Sequence, residues 1–191
     1  NCFIAGADIN LIASLKTESE GATGAEQGQQ IYNLLEDLAV PTVACVHGPC
    51  LGGGMELALA CKVILASDDT KTAFGLPEVK LGILPGFGGT FRMPKRIGIT
   101  GALDLILTGR NVRALSAKKM GLVDEVYPKE RLLKMAKNHM QSHKKRDGLK
   151  DSFTDFATDN FIGRKIIFQK ARENVLKQTK GFYQAPLKIL E

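Results

Sequence analysis

Apolar side chains recur at Ile31, Leu34, Leu35 and Leu38, the i, i+3, i+4, i+7 spacing of one helical face, and Pro41 closes the stretch. The pattern predicts an amphipathic helix packed on an apolar neighbour. Upstream, residues 8–14 follow the apolar FIAGA run, and residues 16–29 are polar and glycine-rich; they read as a strand end, a turn and a mobile surface loop. Downstream the period shortens. Residues 43–46 are a β-branched strand broken by His47, Gly48 and Pro49, and Leu51 with Gly52, Gly53 and Gly54 then opens MELALAC, a run of strong helix formers. Residues 63–66 form the next apolar strand, 67–71 a polar turn, and 72–74 another extended piece. A second Gly/Pro-rich loop at 82–89 leads into a helix at 102–107; a short helix at 116–120 stops at Gly121, and a strand follows at 122–126. After Pro128 the pattern is helical, at 132–140 and 162–179, around a polar joint at 141–150. Alternating short strands and helices define an α/β class. No repeat at solenoid periods and no low-complexity segment interrupts it.

Composition narrows the classes. The chain has 191 residues, 44% hydrophobic and 24% charged, enough for a real core and too apolar for intrinsic disorder. Its longest apolar stretches, 38–46 and 57–66, are too short to cross a bilayer as helices, so no transmembrane segment is expected. Cys2, Cys45, Cys50 and Cys61 form no CxxC pair and have no His at zinc-ligand spacing; they read as reduced, buried thiols. The first residue is Asn1, followed by FIAG without the features of a secretory signal, which reads as a chain whose beginning has been removed. The net charge of +6 is uneven: from Lys129 onward there are 15 Lys and Arg against 7 Asp and Glu, and before it 11 against 13. That basic tail lacks interleaved aromatics or a base-reading motif, so a solvated helical face, not a nucleic-acid surface, is expected.

Candidate chemistry concentrates in VHGPCLGGGMELALACK. Three glycines at a strand-to-helix junction remove every Cβ where the backbone turns. They serve either a tight turn alone or a close approach to the first amides of a helix, where the Gly53 N–H faces an anion or developing oxyanion. The pattern is neither a dinucleotide GxGxxG nor a P-loop. Glu56 follows in the first helical turn, as a dipole partner or an acid/base. Glu78, in FGLPEVKLG, is a second carboxylate beside a glycine-rich loop. If the two converge, a partly buried pair separates its pKa values into an acid and a base. No GxSxG motif supports a nucleophilic serine, His47 reads as structural, and His139 with His143 lacks the Glu of a zinc-binding HExxH.

FIAGADI, HGPCLGGGMELALACK and FGLPEVKLGILPGFGGTFRMPKRIG, in this order, resemble the enoyl-CoA hydratase/isomerase, or crotonase, family. The likeness runs from the first residue to about Tyr127, includes LTGRNVRALSAKKMGLVDEV, and extends to KARENVLKQTKGFYQAPLKILE, which is similar to the linker between hydratase and dehydrogenase parts of multifunctional fatty-acid oxidation alpha subunits. It implies an α/β fold of stacked β-β-α superhelical turns with C-terminal helices and without its first strands. The implied divisions are a partial core at 1–127, a helical region at 128–160, and a linker helix at 161–191.

The resemblance also implies roles. The Ala7 and Gly53 amides would hold the thioester oxyanion, Glu56 would be the base toward water, and Glu78 the acid toward Cα. Gly86 would add an N–H near the water, and Gly6, Asp8 and Gly52 would line the substrate, with Asp8 also capping the following helix. Arg92, Lys95, Arg96 and the basic tail are candidates for CoA phosphates. Having both glutamates favours hydration over double-bond isomerisation, which stays open as a second activity, as does a silent scaffold whose basic tail docks a partner. Hydration needs no metal or redox cofactor: CoA enters with the substrate, and NAD belongs to a dehydrogenase part outside this chain. Implied partners are an acyl-CoA substrate, further copies of the chain, or a thiolase beta subunit. The implied compartment is the bacterial cytoplasm, in preference to a mitochondrial matrix. Lys62 stands where many single-function hydratases carry an acidic residue, and the ASDDTK turn is longer than theirs; both fit the multifunctional branch.

Overall fold

Glycine and proline corners leave room only for short strands, from two residues in β5 (Val112–Arg113) to five in β3 (Val63–Ser67). In the computed structural model, which describes residues 2–6, 9–141 and 161–191, these strands pair into two small sheets. One holds β1 (Val43–Val46), β3 and β6 (Glu125–Tyr127), all parallel, in the order β1-β3-β6. The other holds β2 (Pro49–Leu51), β4 (Ala73–Gly75) and β5, with β2 and β4 parallel and β5 antiparallel at the edge. Val43 lies opposite Val63 and Pro49 opposite Ala73, so each turn of chain lays its first strand on the next turn's first and its second on the second. Helix α3 (Gly53–Ala60) completes one turn; a 3-10 turn (Pro77–Leu81) and α4 (Gly89–Thr108) complete the next. These are the stacked β-β-α turns expected from the resemblance. Helices α1 (Ile9–Ala13) and α2 (Glu18–Glu36) precede them, and α5 (Ala114–Lys119), α6 (Leu132–Gln141), α7 (Phe161–Thr179) and α8 (Gln184–Ile189) follow. Most of the polar joint at 141–150 lies outside the described residues.

The core lies between the sheets and α3, α4 and α5: Val46, Met55, Ala58, Ile64, Phe74, Leu76, Met93, Leu105 and Leu122 are all buried. A satellite cluster seats Leu132 and Ala136 of α6 on Leu65. Burial of such side chains stabilises the fold by about 1.5–3 kcal/mol each.

Three expectations are corrected. Residues 18–29 are not a loop, because α2 starts at Glu18. The Thr17 side chain accepts the Glu20 N–H at 3.2 Å and the Glu20 carboxylate accepts the Lys16 N–H at 2.7 Å, a reciprocal cap that outweighs the glycines. Nor does the Ile31/Leu34 face pack inward: these two side chains are 61% and 70% exposed. The helix is turned the other way, with Gly28, Gln29 and Tyr32 against residues 86–87, because Gly28 has no Cβ where the Phe87 ring lies. Finally, the expected break at Pro49 is itself a strand. Proline is tolerated at the first position, and its carbonyl accepts the Phe3 and Ile4 N–H groups at 3.1 and 3.3 Å.

That last pairing places the FIAG segment beside β2, with Ile4 bridging Cys50. A Cβ at Gly54 would stand 2.5 Å from the Ile4 carbonyl oxygen and 2.6 Å from its Cβ. Gly54→Ala is expected to lower stability by about 1–3 kcal/mol through this overpacking, read by denaturant unfolding; wild-type stability would show that the segment does not pack there.

Candidate active site

Gly52 turns β2 into α3 at φ 55° and ψ −130°, a conformation favouring glycine, and its carbonyl accepts the Met55 and Glu56 N–H groups at 2.7 and 3.0 Å. The turn aims the Gly53 amide out of the start of α3, where it has no partner within the helix. It also sends Glu56 into the interior, 2% exposed. The Phe87 and Gly89 N–H groups each donate to Glu56 Oε1 at 2.8 Å. Burial pushes the Glu56 carboxyl above the usual range; the Gly89 and Phe87 donors, then the Arg92 charge, pull it back.

Glu78 comes from the 3-10 turn after β4. Its Oε1 lies 3.0 Å from the point a Gly52 Cβ would occupy, and Gly6 Cα lies 3.3 Å from that same point. Gly6, Gly52 and Glu78 therefore meet at one place. Glu78 Oε2 is buried with no hydrogen-bond partner among the described residues. Burial pushes its pKa up to about 7; its own backbone N–H opposes the shift and the Glu56 charge adds to it. Burial raises the pKa of both carboxyls, but fixed donors oppose the shift at Glu56 while Glu78 Oε2 has no partner among the described residues.

A stability prediction follows from that raised value. Between the ordinary glutamate pKa, about 4.3, and about 7 the folded chain holds a proton at Glu78 that the unfolded chain has lost. Stability conferred by this group therefore falls as pH rises through that window and levels off above it. Glu78→Gln removes the titration, so melting curves are expected to favour the variant increasingly from pH 5 to pH 8. Parallel curves for variant and wild type would contradict the burial of this carboxyl.

Several residues with no expected role also shape the site. The Phe87 and Gly89 donors are main-chain groups, which no side-chain pattern advertises. Tyr32 of α2 packs edge-on against Phe87, with ring centroids 5.6 Å apart, and its hydroxyl donates to the Gly53 carbonyl at 3.1 Å. The Tyr183 hydroxyl, just before α8, donates to the Val79 carbonyl, tying the C-terminal helices to the turn that carries Glu78. Aromatic residues near both loops were the available signal.

Ala7 and Asp8 lie outside the described residues, although Gly6 beside them reaches the Gly52 turn. Gly86 sits in the loop before Phe87 and its carbonyl accepts from Gln29 Nε2 at 2.8 Å. Of the cations considered for CoA phosphates, Arg92 is buried and bonded to Glu36, Asn33 and Phe87, and Arg96 to Leu122 and Asp124. Lys95 lies 3.6 Å over the Phe91 ring. His47 bonds Ser67 Oγ at 3.0 Å in a buried network with Thr72, consistent with a structural role. Among the described residues, no three His, Cys, Asp or Glu side chains gather as a metal site, and no helix is long and apolar enough to cross a membrane.

The stacked β-β-α turns thus bring a glycine corner at a helix start together with the buried Glu56 and the half-buried Glu78. The chain belongs to the enoyl-CoA hydratase/isomerase family, whose sequence profile matches residues 1–177. Among curated relatives, it is 47% identical over 190 residues to a fatty acid oxidation complex subunit alpha of Vibrio campbellii, covering 99% of this chain and 27% of that protein. The protein of the same name from Shewanella amazonensis is 48% identical over 191 residues, again across 27% of its length. The chain thus spans only about a quarter of these relatives. Among solved structures, an enoyl-CoA hydratase from Bacillus anthracis superposes with a TM-score of 0.67 at 31% identity, over 92% of this chain and 72% of that one. One from Thermoplasma volcanium gives 0.69 at 26% identity, over 95% and 75%.

Proposed function

We propose that this chain is an enoyl-CoA hydratase that adds water reversibly and syn across the double bond of a 2-trans-enoyl-CoA in fatty-acid oxidation. The observation that carries the reading is the unequal pair at the Gly52 corner: Glu56 accepts two amide donors and Glu78 keeps a buried oxygen without a partner. A general base must be ionised and a general acid protonated at the working pH, and these environments favour that division.

In the proposed step, the Ala7 and Gly53 N–H groups receive the thioester oxygen as negative charge moves onto it. Glu56 takes a proton from water while the water oxygen bonds to C3, and Glu78 gives its proton to Cα. The enolate charge collapses, leaving a 3-hydroxyacyl-CoA, and both carboxyls re-equilibrate with solvent. The roles reverse in dehydration. Gly86 would add an N–H near the attacking water, and Gly6, Asp8 and Gly52 would line the substrate. CoA belongs to the substrate, and the water and carboxyls suffice for the chemistry.

The relatives are named as alpha subunits of a fatty acid oxidation complex and the chain spans 27% of their length, which supports a hydratase part of a longer protein. In the proposed reading that protein also carries an NAD-dependent dehydrogenase part and meets a thiolase partner or further copies of itself. The relatives come from bacteria, and the proposed setting is the bacterial cytoplasm. In that protein, residues 1–127 would be the hydratase core, 128–160 a helical region and 161–191 the linker, and the contacts of α7 and α8 with α4 fit a linker docked on the core.

Incubating 2-trans-enoyl-CoA with the chain in ¹⁸O-labelled water tests the proposal. The expected product is heavier by one labelled water, with the label in the C3 hydroxyl. A shifted double bond without mass gain would favour isomerisation instead, and unchanged substrate would favour the scaffold reading.

A further inference from the structure

We propose that Arg92 is a positioning residue for Glu56: its guanidinium locks residues 86–89 against α2, keeping the Phe87 and Gly89 amides on the Glu56 carboxylate. The inference rests on the reading of Glu56 as the general base.

The geometry is that of a clamp. The Arg92 side chain is 3% exposed and donates to Glu36 at 2.8 Å, Asn33 at 2.5 Å and the Phe87 carbonyl at 2.9 Å. Phe87 in turn donates its N–H to Glu56 at 2.8 Å. One residue of the loop is therefore held from both sides, by the cation through its carbonyl and by the base through its amide. The space is made for this group: Gly88 takes φ 101°, and a Cβ there would stand 2.2 Å from Arg92 Nη1. Gln29, donating to the Gly86 carbonyl, and the Phe87 ring in the space at Gly28 seat the same loop on α2.

Burying a guanidinium is costly, and Glu36, its ionic partner, is 42% exposed, so the pair by itself stabilises the fold weakly. An apolar side chain would fill the space more cheaply. What an apolar side chain cannot do is hold a carbonyl, a carboxamide and a carboxylate at once while presenting positive charge toward Glu56. The charged and titratable groups that act on Glu56 are Arg92 from α4, Tyr32 from α2 and Glu78 from the 3-10 turn. Arg92 is the cation among these three, and its charge favours the ionised base.

The test is a carboxyl ¹³C NMR titration of Glu56, assigned by the signal lost in Glu56→Gln, in wild type, Arg92→Gln and Arg92→Lys, with hydration rates on the same proteins. Arg92→Gln is expected to move the Glu56 midpoint to higher pH by roughly one unit, because an opposite charge has been removed. The acidic limb of the rate profile moves with it. Arg92→Lys keeps the charge but not the fork, so the Phe87 and Gly89 amides loosen from Glu56 and the midpoint rises less than in Arg92→Gln, while kcat falls roughly 10- to 100-fold with KM little changed. An unmoved midpoint in folded Arg92→Gln, or a wild-type kcat in folded Arg92→Lys, overturns the proposal. If Arg92→Gln fails to fold, the Arg92→Lys rates decide. Failure of the hydratase reading has a different signature: Glu56→Gln would then keep the wild-type rate, or no protein would turn over, while the titration still reports on Arg92 and Glu56.

Discussion

Glu56→Gln is expected to lower kcat for hydration by roughly 10²- to 10⁴-fold, the usual contribution of a positioned general base. The amide keeps the carboxylate's shape and one oxygen for the Phe87 and Gly89 donors, so the fold and KM should change little. What is lost is the site that accepts the water proton, an interaction made in the transition state and not in the ground state. Steady-state kinetics with a melting curve on the same sample check this. A large rise in KM with unchanged kcat would assign Glu56 to binding instead.

Glu78→Gln is expected to have an effect of the same order, with a different pH signature. The acid must be protonated, and its pKa is pushed up to about 7, so wild-type turnover should decline on the alkaline side as Glu78 loses its proton. The Glu56 charge contributes to that value, so the two limbs of the profile belong to the pair and not to separate residues. Glutamine cannot give a proton to Cα, so the variant should be slow at every pH and its residual rate should lack the alkaline limb. A normal rate with an intact limb would remove Glu78 from the chemistry.

The two carboxyls were legible in the sequence because each stands beside a glycine-rich corner, and glycine is where a backbone or a ligand comes close. The first strands of the two principal turns were equally legible, as β-branched runs bounded by turn residues. Other features were hidden for identifiable reasons. Thr17 and Glu20 carry the helix-start pattern, but Gly21, Gly24 and Gly28 argued for a loop, and a reciprocal cap prevails over weak propensity. The apolar stripe at Ile31 and Leu34 gave the helix but not its orientation, which is set by a glycine that admits a ring from residue 87. Arg92 was visible as a positive charge near a glycine loop. Sequence does not tell a buried cation from a solvated one, and its partners at residues 33, 36 and 87 are fixed only by the stacking of turns.

The most direct measurement is the loss of the conjugated enoyl-thioester absorbance when the chain meets 2-trans-enoyl-CoA substrates of several lengths, run beside Glu56→Gln, Glu78→Gln and the double variant. The account predicts turnover by the wild-type chain, near-complete loss in each single variant, and a double variant little slower than either, because the two carboxyls act as one unit. Wild-type-like rates in both single variants would contradict it.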